Sequence, residues 1–235
     1  MSTVACYSTQ AAAPHTAAWV SRVLAPAIKA CRFDKPPPVE LRPTGRAGGY
    51  CQPRFVAPDG RVAISKQVCF WSDSDFVDVY IHEAAHRLLA GREVLDHGPE
   101  FFALNLSLLL RAQAFFERDV VESMSLYDLQ DQPAEVDETG WRGVVLGWAL
   151  PLAAELAATN NSAEALADLV SERWKSFLQE QENAREQAAQ QTLAARKRAA
   201  AAEVQIEDLK SSLFVARTFL VVGWMCFLSV CIFVF

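Results

Sequence analysis

Three of the four histidines in the chain lie close together, at positions 82, 86 and 97. His82 and His86 are four residues apart, so on an α-helix both imidazoles lie on one face and can reach the same metal ion. Glu83 lies beside that face. A catalytic zinc takes three protein ligands and keeps one position for water, whose pKa the metal lowers to about 7, and a neighbouring carboxylate can accept the water's proton. The spacing therefore indicates a Zn²⁺ site with His82 and His86 as metal ligands and Glu83 as the catalytic base.

His97 is the natural third metal ligand. It follows a helix stop at Gly91 and a short loop, and such a loop can fold back toward the first two histidines. The fourth histidine, His15, stands outside this pattern, and we expect it to be an exposed polar residue rather than a ligand. The predicted metal ligands are therefore His82, His86 and His97.

The residues around the two-histidine motif favour a helix. An H-E-x-x-H match also arises by chance, so its context decides how much weight it carries. Residues 75–90 show helical periodicity, and N-cap candidates precede them at 72–75. The apolar face of this segment consists of Phe76, Val77, Tyr80, Ile81, Ala84, Leu88 and Leu89. The pattern predicts that the motif lies on a helix packed against a core.

A second helix is predicted directly after His97. Pro99 suits the first turn of a helix, and apolar residues continue on more than one face to about Phe116, which indicates a position in the domain centre. Glu100 lies in the first turn, where a carboxylate favours the helix dipole. It is equally suited to orient a ligand histidine by a hydrogen bond. Both interpretations of Glu100 are open at the level of sequence.

The motif His82-Glu83-x-x-His86, followed after ten residues by His97-Gly98-Pro99-Glu100-Phe101, resembles the SprT-like (Spartan-like) zinc metalloproteases. The resemblance covers residues 45–117, where two short segments look like the small sheet of that family. It implies a zincin-like fold, three histidine zinc ligands and Glu83 as the general base. The chain has no C-x-x-C pairs for the zinc ribbon that often follows this domain, and it ends in an apolar segment. These two departures argue against the DNA-linked role usual in the family.

Composition and net charge limit the kinds of binding partner and the cellular compartment that we expect for the protein. The net charge is −6, which gives the whole chain no basic field for nucleic acid, although residues 22–66 carry nine Lys or Arg against Asp34, Glu40 and Asp59. Basic and aromatic residues do not alternate there, so a solvated face is favoured over a nucleic-acid groove. The six scattered cysteines form no disulfide framework and indicate reduced thiols in a cytosolic domain.

Turn signals predict a small sheet before the motif. Residues 50–56 and 62–66 flank Asp59-Gly60, a strong hairpin signal, so we expect an antiparallel β-hairpin there. The resemblance implies that residues 61–66 form an edge strand that pairs with an extended substrate. A plain hairpin that covers the core is the competing interpretation.

Three further helical segments are predicted, one before the small sheet and two after the helix that begins at Pro99. Residues 16–30 carry apolar residues at helical spacing, with Pro26 as a position that kinks or ends the helix. Residues 117–140 are acidic and read as a surface linker, and residues 141–158 read as a core helix interrupted by Gly143, Gly147 and Pro151. Next, residues 160–162 are suited to cap a long helix, with Glu164 placed for a capping box on Asn161.

The C-terminal third changes character along its length. From 163 to 178 the apolar residues form a stripe typical of a docking surface, whereas residues 180–203 are strong helix formers without a core face, typical of a spacer or a weak coiled coil. Residues 213–235 are apolar and long enough to span a bilayer. Because Lys210 and Arg217 lie on the N-terminal side of this span, the positive-inside rule places the preceding domain in the cytoplasm.

Together these features predict an α+β protein with three parts: a zincin-like domain (14–158), a helical stalk (159–212) and a transmembrane helix (213–235). The predicted function is that of a single-pass, membrane-anchored zinc metallopeptidase acting on protein or peptide substrates near the cytosolic face. Self-association through the stalk is a further expectation. Two alternatives stay open: a zinc hydrolase of a non-peptide amide or ester, and a catalytically silent, membrane-tethered interaction module.

Overall fold

The chain is described by a computed structural model. Its elements fall into two compact units, Met1–Ser176 and Phe177–Phe235. Within them the structure describes residues 6–8, 17–42, 49–51, 60–65, 72–92, 97–116, 119–120 and 141–234. His15 and most of the predicted acidic linker therefore lie outside the described residues.

A four-stranded sheet forms one side of the first unit. Its strands are β1 (Cys6–Ser8), β2 (Val39–Arg42), β3 (Gly49–Cys51) and β4 (Val62–Ser65), in the spatial order β1-β2-β4-β3. Strands β3 and β4 pair antiparallel, as the Asp-Gly turn signal predicts, although the turn itself lies outside the described residues. The other two pairs, β1 with β2 and β2 with β4, are parallel.

The position of β4 corrects one expectation. Residues 61–66 were expected to supply the edge strand, but β4 lies between β2 and β3 and bonds to both. Its residues Val62, Ala63 and Ile64 are fully buried, as is usual for a strand covered on both faces. Within the described chain the edge strand on this side is β3, which packs against the helix that carries the histidine motif.

Three helices cover the sheet and one another. Helix α1 (Ala17–Cys31) continues through Pro26, so this proline neither ends the helix nor limits its buried face. Helix α2 (Asp73–Leu89) begins at Ser72, whose Oγ accepts a hydrogen bond from the amide of Asp75 at 3.0 Å. Helix α3 (Pro99–Arg111) is buried at every position from Pro99 to Leu109, as its all-round apolar pattern predicts, and one 3₁₀ turn follows it (Gln113–Phe115).

The interrupted helix predicted at 141–158 has a π-helical centre. Helix α4 (Trp141–Val144) passes into a π-helix (Val145–Ala149), and helix α5 (Leu150–Ala157) follows with a proline in its first turn. A π-helix widens the helical turn by one residue. Helix α5 packs on α3, and Leu152, Ala153 and Leu156 belong to the same core as the sheet.

Helix α6 (Ala163–Val234) begins as part of the first unit. Its first two turns bury Ala163, Leu166, Ala167 and Val170 in the core, and Trp174 lies against Trp148 with ring centroids 4.8 Å apart. The first unit therefore includes residues beyond 158. The predicted boundary between domain and stalk stays a prediction.

The start of α6 differs from the predicted capping box. Ser162 rather than Asn161 caps the helix, because its Oγ accepts from the amide of Ala165 at 3.3 Å. Glu164 instead accepts hydrogen bonds from the backbone amides of Asp34 and Lys35, at 3.0 and 2.9 Å. These two amides lie directly before a run of three prolines. Residues before proline are disfavoured in a helix, so these amides have no helical carbonyl to bond to. The Glu164 carboxylate therefore bonds to a distant segment of the chain rather than to the start of its own helix, as the local sequence had predicted.

Arg111, the last residue of α3, joins three segments of the first unit. Its guanidinium donates to backbone carbonyls at and just after the C-terminal ends of α1 and α5, the closest being that of Asn161 at 2.8 Å. The other carbonyl acceptors are those of Cys31, Leu156, Ala157 and Thr159. The carbonyls at helix ends have no partner within their own helix, so Arg111 satisfies groups that would otherwise need water. Burial and the nearby charge of Arg32 lower the pKa of Arg111 from its ordinary value.

The second unit is the remainder of α6, from Phe177 onward. From Leu178 to Cys226 its side chains are exposed, including large apolar residues such as Leu213 at 73%, Phe214 at 72% and Phe219 at 74%. In the described part of the chain, one helix, this one, is long and apolar enough to cross a membrane.

Candidate metal centre

Helix α2 presents His82 and His86 from one face, and the residues on either side of His82 are buried. Tyr80, Ile81, Ala84 and Ala85 are fully buried, and both histidines are half-buried. The ring centroids of the two histidines lie 4.9 Å apart. This is the proximity that an i, i+4 spacing provides on an α-helix. Packing of α2 against β3, β4 and α3 therefore fixes the direction of both imidazoles.

His97 completes the group from the residue before the N-cap of α3. Its Nε2 lies 3.2 Å from Nε2 of His82 and 3.3 Å from Nε2 of His86. The backbone of His97 has a φ of 53°, in the left-handed region that non-glycine residues seldom adopt. Directly after it, Gly98 is the N-cap of α3 and Pro99 begins the helix. The loop thus turns back sharply at His97 and brings its imidazole to the first two.

The spacing of the three nitrogens fits one tetrahedral metal ion. A zinc–imidazole bond is about 2.0–2.1 Å long, and two such ligands at a tetrahedral angle are separated by about 3.3–3.4 Å. The two measured separations, 3.2 and 3.3 Å, match that value. The candidate ligand atoms of all three residues lie within 4.8 Å of one another. His82, His86 and His97 are therefore close enough to hold a metal ion, as the sequence predicts; imidazole donors suit zinc and other borderline divalent metals.

Phe101 supports the three imidazoles from one side. Its ring stacks on His86 with centroids 4.1 Å apart, and it meets His82 and His97 edge-on, both at 4.9 Å. Phe101 itself is 1% exposed. Because one buried ring touches all three imidazoles, their rotamers are limited by packing as well as by the backbone.

Glu83 is buried, with 6% of its surface exposed, next to the half-buried His82. Carboxylates are seldom buried to this degree in soluble domains. Its position in α2 is the one that the H-E-x-x-H pattern assigns to the base. The carboxylate is therefore held in a site from which bulk water is largely excluded.

Glu100 lies in the first turn of α3, as predicted, and is 4% exposed. Burial raises the pKa of Glu100, and Ser171 together with the charges of Arg92 and Lys175 partly opposes that increase. Of the two interpretations of Glu100, its position favours the helix dipole.

Arg92 ties the loop between α2 and α3 to the same helix. Its guanidinium pairs with Asp168 at 2.6 Å and donates to the carbonyl of Ala167 at 2.9 Å and to Ser171 Oγ at 3.2 Å. The loop that carries His97 thus begins at a residue fixed to the first turns of α6. The sequence analysis missed this network, because no local pattern indicates that Arg92 and Asp168 are neighbours. The contact of Phe101 with the histidines was easier to anticipate, because Phe101 is part of the motif that follows His97.

Gly60 lies where β4 approaches α2. Its φ is 63°, and a side chain at this position would overlap the guanidinium of Arg87, the residue after His86. Glycine accepts this φ without steric cost and leaves room for that guanidinium. Glycine at position 60 is therefore favoured chiefly by its positive φ, since the Arg87 side chain could move aside.

Comparisons of the chain with protein-family models, with curated proteins and with solved structures find no match.

Proposed function

We propose that the protein is a membrane-anchored, zinc-dependent metallopeptidase of the SprT-like, zincin-like type. The observation that carries the proposal is the convergence of three imidazole Nε2 atoms, 3.2 and 3.3 Å apart, beside the buried Glu83. A purely structural zinc site usually has four protein ligands, whereas a catalytic site keeps one position open. Three histidines and a neighbouring carboxylate fit the second kind.

Each residue then has a defined role. His82, His86 and His97 would hold the ion as neutral imidazoles. Zinc bound there would supply Lewis acidity, which polarises a carbonyl and lowers the pKa of water to about 7. Glu83 accepts a proton from the attacking water and passes it to the amine that leaves. Phe101 keeps the imidazoles in place and excludes water from one side of the site.

The edge of the sheet suits an extended peptide as substrate. Among the described strands, β3 is the last one of the sheet on the side of α2, and it packs against that helix. An edge strand offers backbone N–H and C=O groups to a partner chain, so a substrate can add to the sheet beside the metal centre. This arrangement favours a peptide over a small amide or ester, which needs no strand.

The apolar end of α6 supports the membrane anchor. Its large side chains are exposed from Leu209 to Met225, which is favourable in lipid and costly in water. Lys210 and Arg217 precede or begin this segment, so the positive-inside rule places the metal centre on the cytoplasmic side. Substrates would then be proteins or peptides near the cytosolic membrane face.

The test uses the full chain in detergent micelles. Zinc content is measured after dialysis against buffer of low metal concentration, for the wild type, His97→Ala and the matched control His15→Ala. We expect one zinc per chain in the wild type and the control, and weakened binding in His97→Ala. Hydrolysis of an unfolded, casein-type substrate is measured in parallel, and Glu83→Gln should lower it by at least about 100-fold while zinc is retained.

Each other outcome rejects a defined part of the proposal. Absence of zinc from the wild type would rule out the metal centre. Bound zinc without hydrolysis of any peptide would favour the interaction module. Bound zinc with hydrolysis of small esters or amides, but not of peptides, would favour the other class of hydrolase.

A further inference from the structure

A seam of small and apolar residues with a seven-residue repeat runs along the exposed part of α6, with alanines in its first half and larger side chains from Ile206 onward; Leu193 and Val204 lie off it. Counted at alternating steps of three and four, this seam runs from position 188 to 223, which is five heptads. Thr192 is its one polar member. The seam consists of Ala188, Thr192, Ala195, Ala199, Ala202, Ile206, Leu209, Leu213, Ala216, Leu220 and Gly223. A repeat of this length is the pattern by which helices form coiled coils.

The seam is open in the isolated chain. Ile206 is 51% exposed, Leu209 69%, Leu213 73% and Leu220 65%. Toward its C-terminal end the small residues Ala216 and Gly223 leave a groove between the larger side chains of Phe219, Leu220 and Trp224. A Cβ built at Gly223 meets no atom within 4 Å apart from the neighbouring backbone of its own helix. Depressions between large side chains are what a side chain of a second helix can enter.

The seven-residue repeat points to a partner that is also a helix. On a straight α-helix, positions seven apart drift by about 20° per repeat, so this seam would turn by about 100° over its five heptads. Two helices keep such seams in contact by winding around each other with a left-handed twist. A lipid surface requires no such period. The repeat therefore favours a coiled-coil partner over lipid along the stalk.

The residues beside the seam fit a second, parallel copy of this chain. In heptad notation the seam residues Thr192, Ala199, Ile206, Leu213 and Leu220 are "a" positions and the others are "d" positions. In a parallel dimer the residue directly before each "a" position faces the residue five positions later in the partner helix. Arg198 then faces Glu203 of the other copy, twice by symmetry, and no position in residues 184–217 meets a like charge under this rule. Within the described chain neither Arg198 nor Glu203 forms an ion pair, and both are exposed. Copies anchored in one membrane by the same end are parallel.

We propose that a second copy of this chain covers the seam, so that the protein is a parallel dimer through residues 188–223, from the stalk into the membrane anchor. The inference goes beyond the metallopeptidase proposal, because the seam carries none of its catalytic residues. It depends on the membrane anchor only for the parallel orientation. The two proposals therefore fail separately: loss of zinc or of peptide hydrolysis leaves the dimer intact.

The first test compares neighbouring positions on and off the seam. Full chains labelled with donor and acceptor fluorophores are reconstituted at low density in phosphatidylcholine vesicles, and energy transfer is measured. Ile206→Glu places a charge in the seam, whereas Val204→Glu places the same charge on the opposite side of the helix, where the side chain is 62% exposed. We expect dimer formation to fall at least about ten-fold for the first and less than about two-fold for the second. Equal effects of both, or no energy transfer in the wild type, would overturn the proposal.

The second test uses charge exchange, which nonspecific aggregation in the membrane would not follow. Arg198→Glu and Glu203→Arg each create two repulsive pairs in their own dimer, but a mixture of the two variants restores two attractive pairs. We expect the mixed dimer to exceed either homodimer about five-fold. Random mixing, with no preference for the mixed dimer, would exclude the parallel register.

The third test addresses the groove. A Cβ at Gly223 meets no side chain of its own chain, so Gly223→Leu should leave the helix intact but fill the groove and hold two helices apart. We expect weaker energy transfer with unchanged helical circular dichroism. An unchanged transfer efficiency would remove the membrane part of the seam from the interface.

Discussion

The two units of this protein use the same apolar residue types in opposite ways. In the first unit, Phe76, Phe101, Leu104 and Leu108 are at most 1% exposed, and they form a core with the sheet. In the second unit, Leu213, Phe214, Phe219 and Leu220 are 65–74% exposed. Burial of a large apolar side chain stabilises a fold by about 1.5–3 kcal/mol. The first unit obtains this stabilisation from its own chain, whereas the second must obtain it from lipid or from another chain.

This contrast shows what the packing of each unit can support. The packing of the first unit holds three imidazoles within a few tenths of an ångström of a metal-binding geometry. The second unit exposes its apolar side chains, which suits contact with lipid or with another chain. A substitution should therefore have very different effects in the two units even when the chemistry of the change is identical.

The same phenylalanine substitution should give the largest difference. Phe101→Ala removes a buried ring that touches all three imidazoles, and we expect the first unit to lose about 3–5 kcal/mol of unfolding free energy and much of its metal affinity. Phe219→Ala, at a position 74% exposed, should change the same unfolding free energy by less than about 0.5 kcal/mol. Urea denaturation of the full chain in micelles, followed by near-ultraviolet circular dichroism, measures both.

Phe101→Leu is the matched variant within the site. It keeps most of the buried volume but loses the stacking contact with His86. We therefore expect a larger loss in the free energy of metal binding than in the free energy of unfolding. If Phe101→Ala proved as mild as Phe219→Ala, the ring would not be part of the core that fixes the histidines.

Arginine substitutions should give the next largest difference. Arg111→Met keeps the apolar stem but removes donors to five backbone carbonyls, and we expect the first unit to lose about 2–3 kcal/mol. Arg196→Met removes an exposed charge in the second unit and should change stability by less than about 0.5 kcal/mol. Thermal unfolding monitored at both near- and far-ultraviolet wavelengths separates the two units, and equal effects would contradict the joining role of Arg111.

The smallest effect should come from Glu100 and should depend on pH. Burial raises its pKa above the ordinary 4.5, so the folded state keeps a proton that the unfolded state has already lost. Its contribution is therefore fully present below that ordinary value and is lost as pH rises through the folded pKa. Glu100→Gln cannot ionise, so its stability relative to the wild type should improve from about pH 4 to pH 7.

Measurements for Glu100 should include a chelator, because protonation of histidines would otherwise release metal in the same range. Glu186→Gln, an exposed substitution in the second unit, is the matched control and should show no such trend. A decline of the Glu100→Gln variant relative to the wild type with rising pH would show that the carboxylate is stabilised by its partners rather than strained by burial.

The convergence of His82, His86 and His97 could be predicted because its signal is local. Two histidines on one helix face, and a third beyond a short loop, are brought together by helix geometry and chain length alone. The antiparallel pair β3/β4 follows from an Asp-Gly turn in the same way. In each case the residues that interact are near in sequence, so the chain itself limits where they can lie.

The missed features depend on contacts between distant segments. Strand β2 follows the proline run and pairs parallel with β4, and a pairing of this kind leaves no turn signal to detect. That unseen strand is why β4 lies inside the sheet and not at its edge. Likewise Glu164 was assigned to a local capping box but bonds to amides 130 and 129 residues away. Such choices are settled by tertiary packing, which periodicity does not encode.

The left-handed backbone of His97 has a consequence for the centre in its metal-free state. That conformation costs about 1–2 kcal/mol at a residue with a side chain, and zinc binding to the imidazole would offset the cost. His82 and His86, by contrast, rest in unstrained helical backbone. Of the three histidines, His97 would therefore be the one whose backbone relaxes most readily when no ion is held.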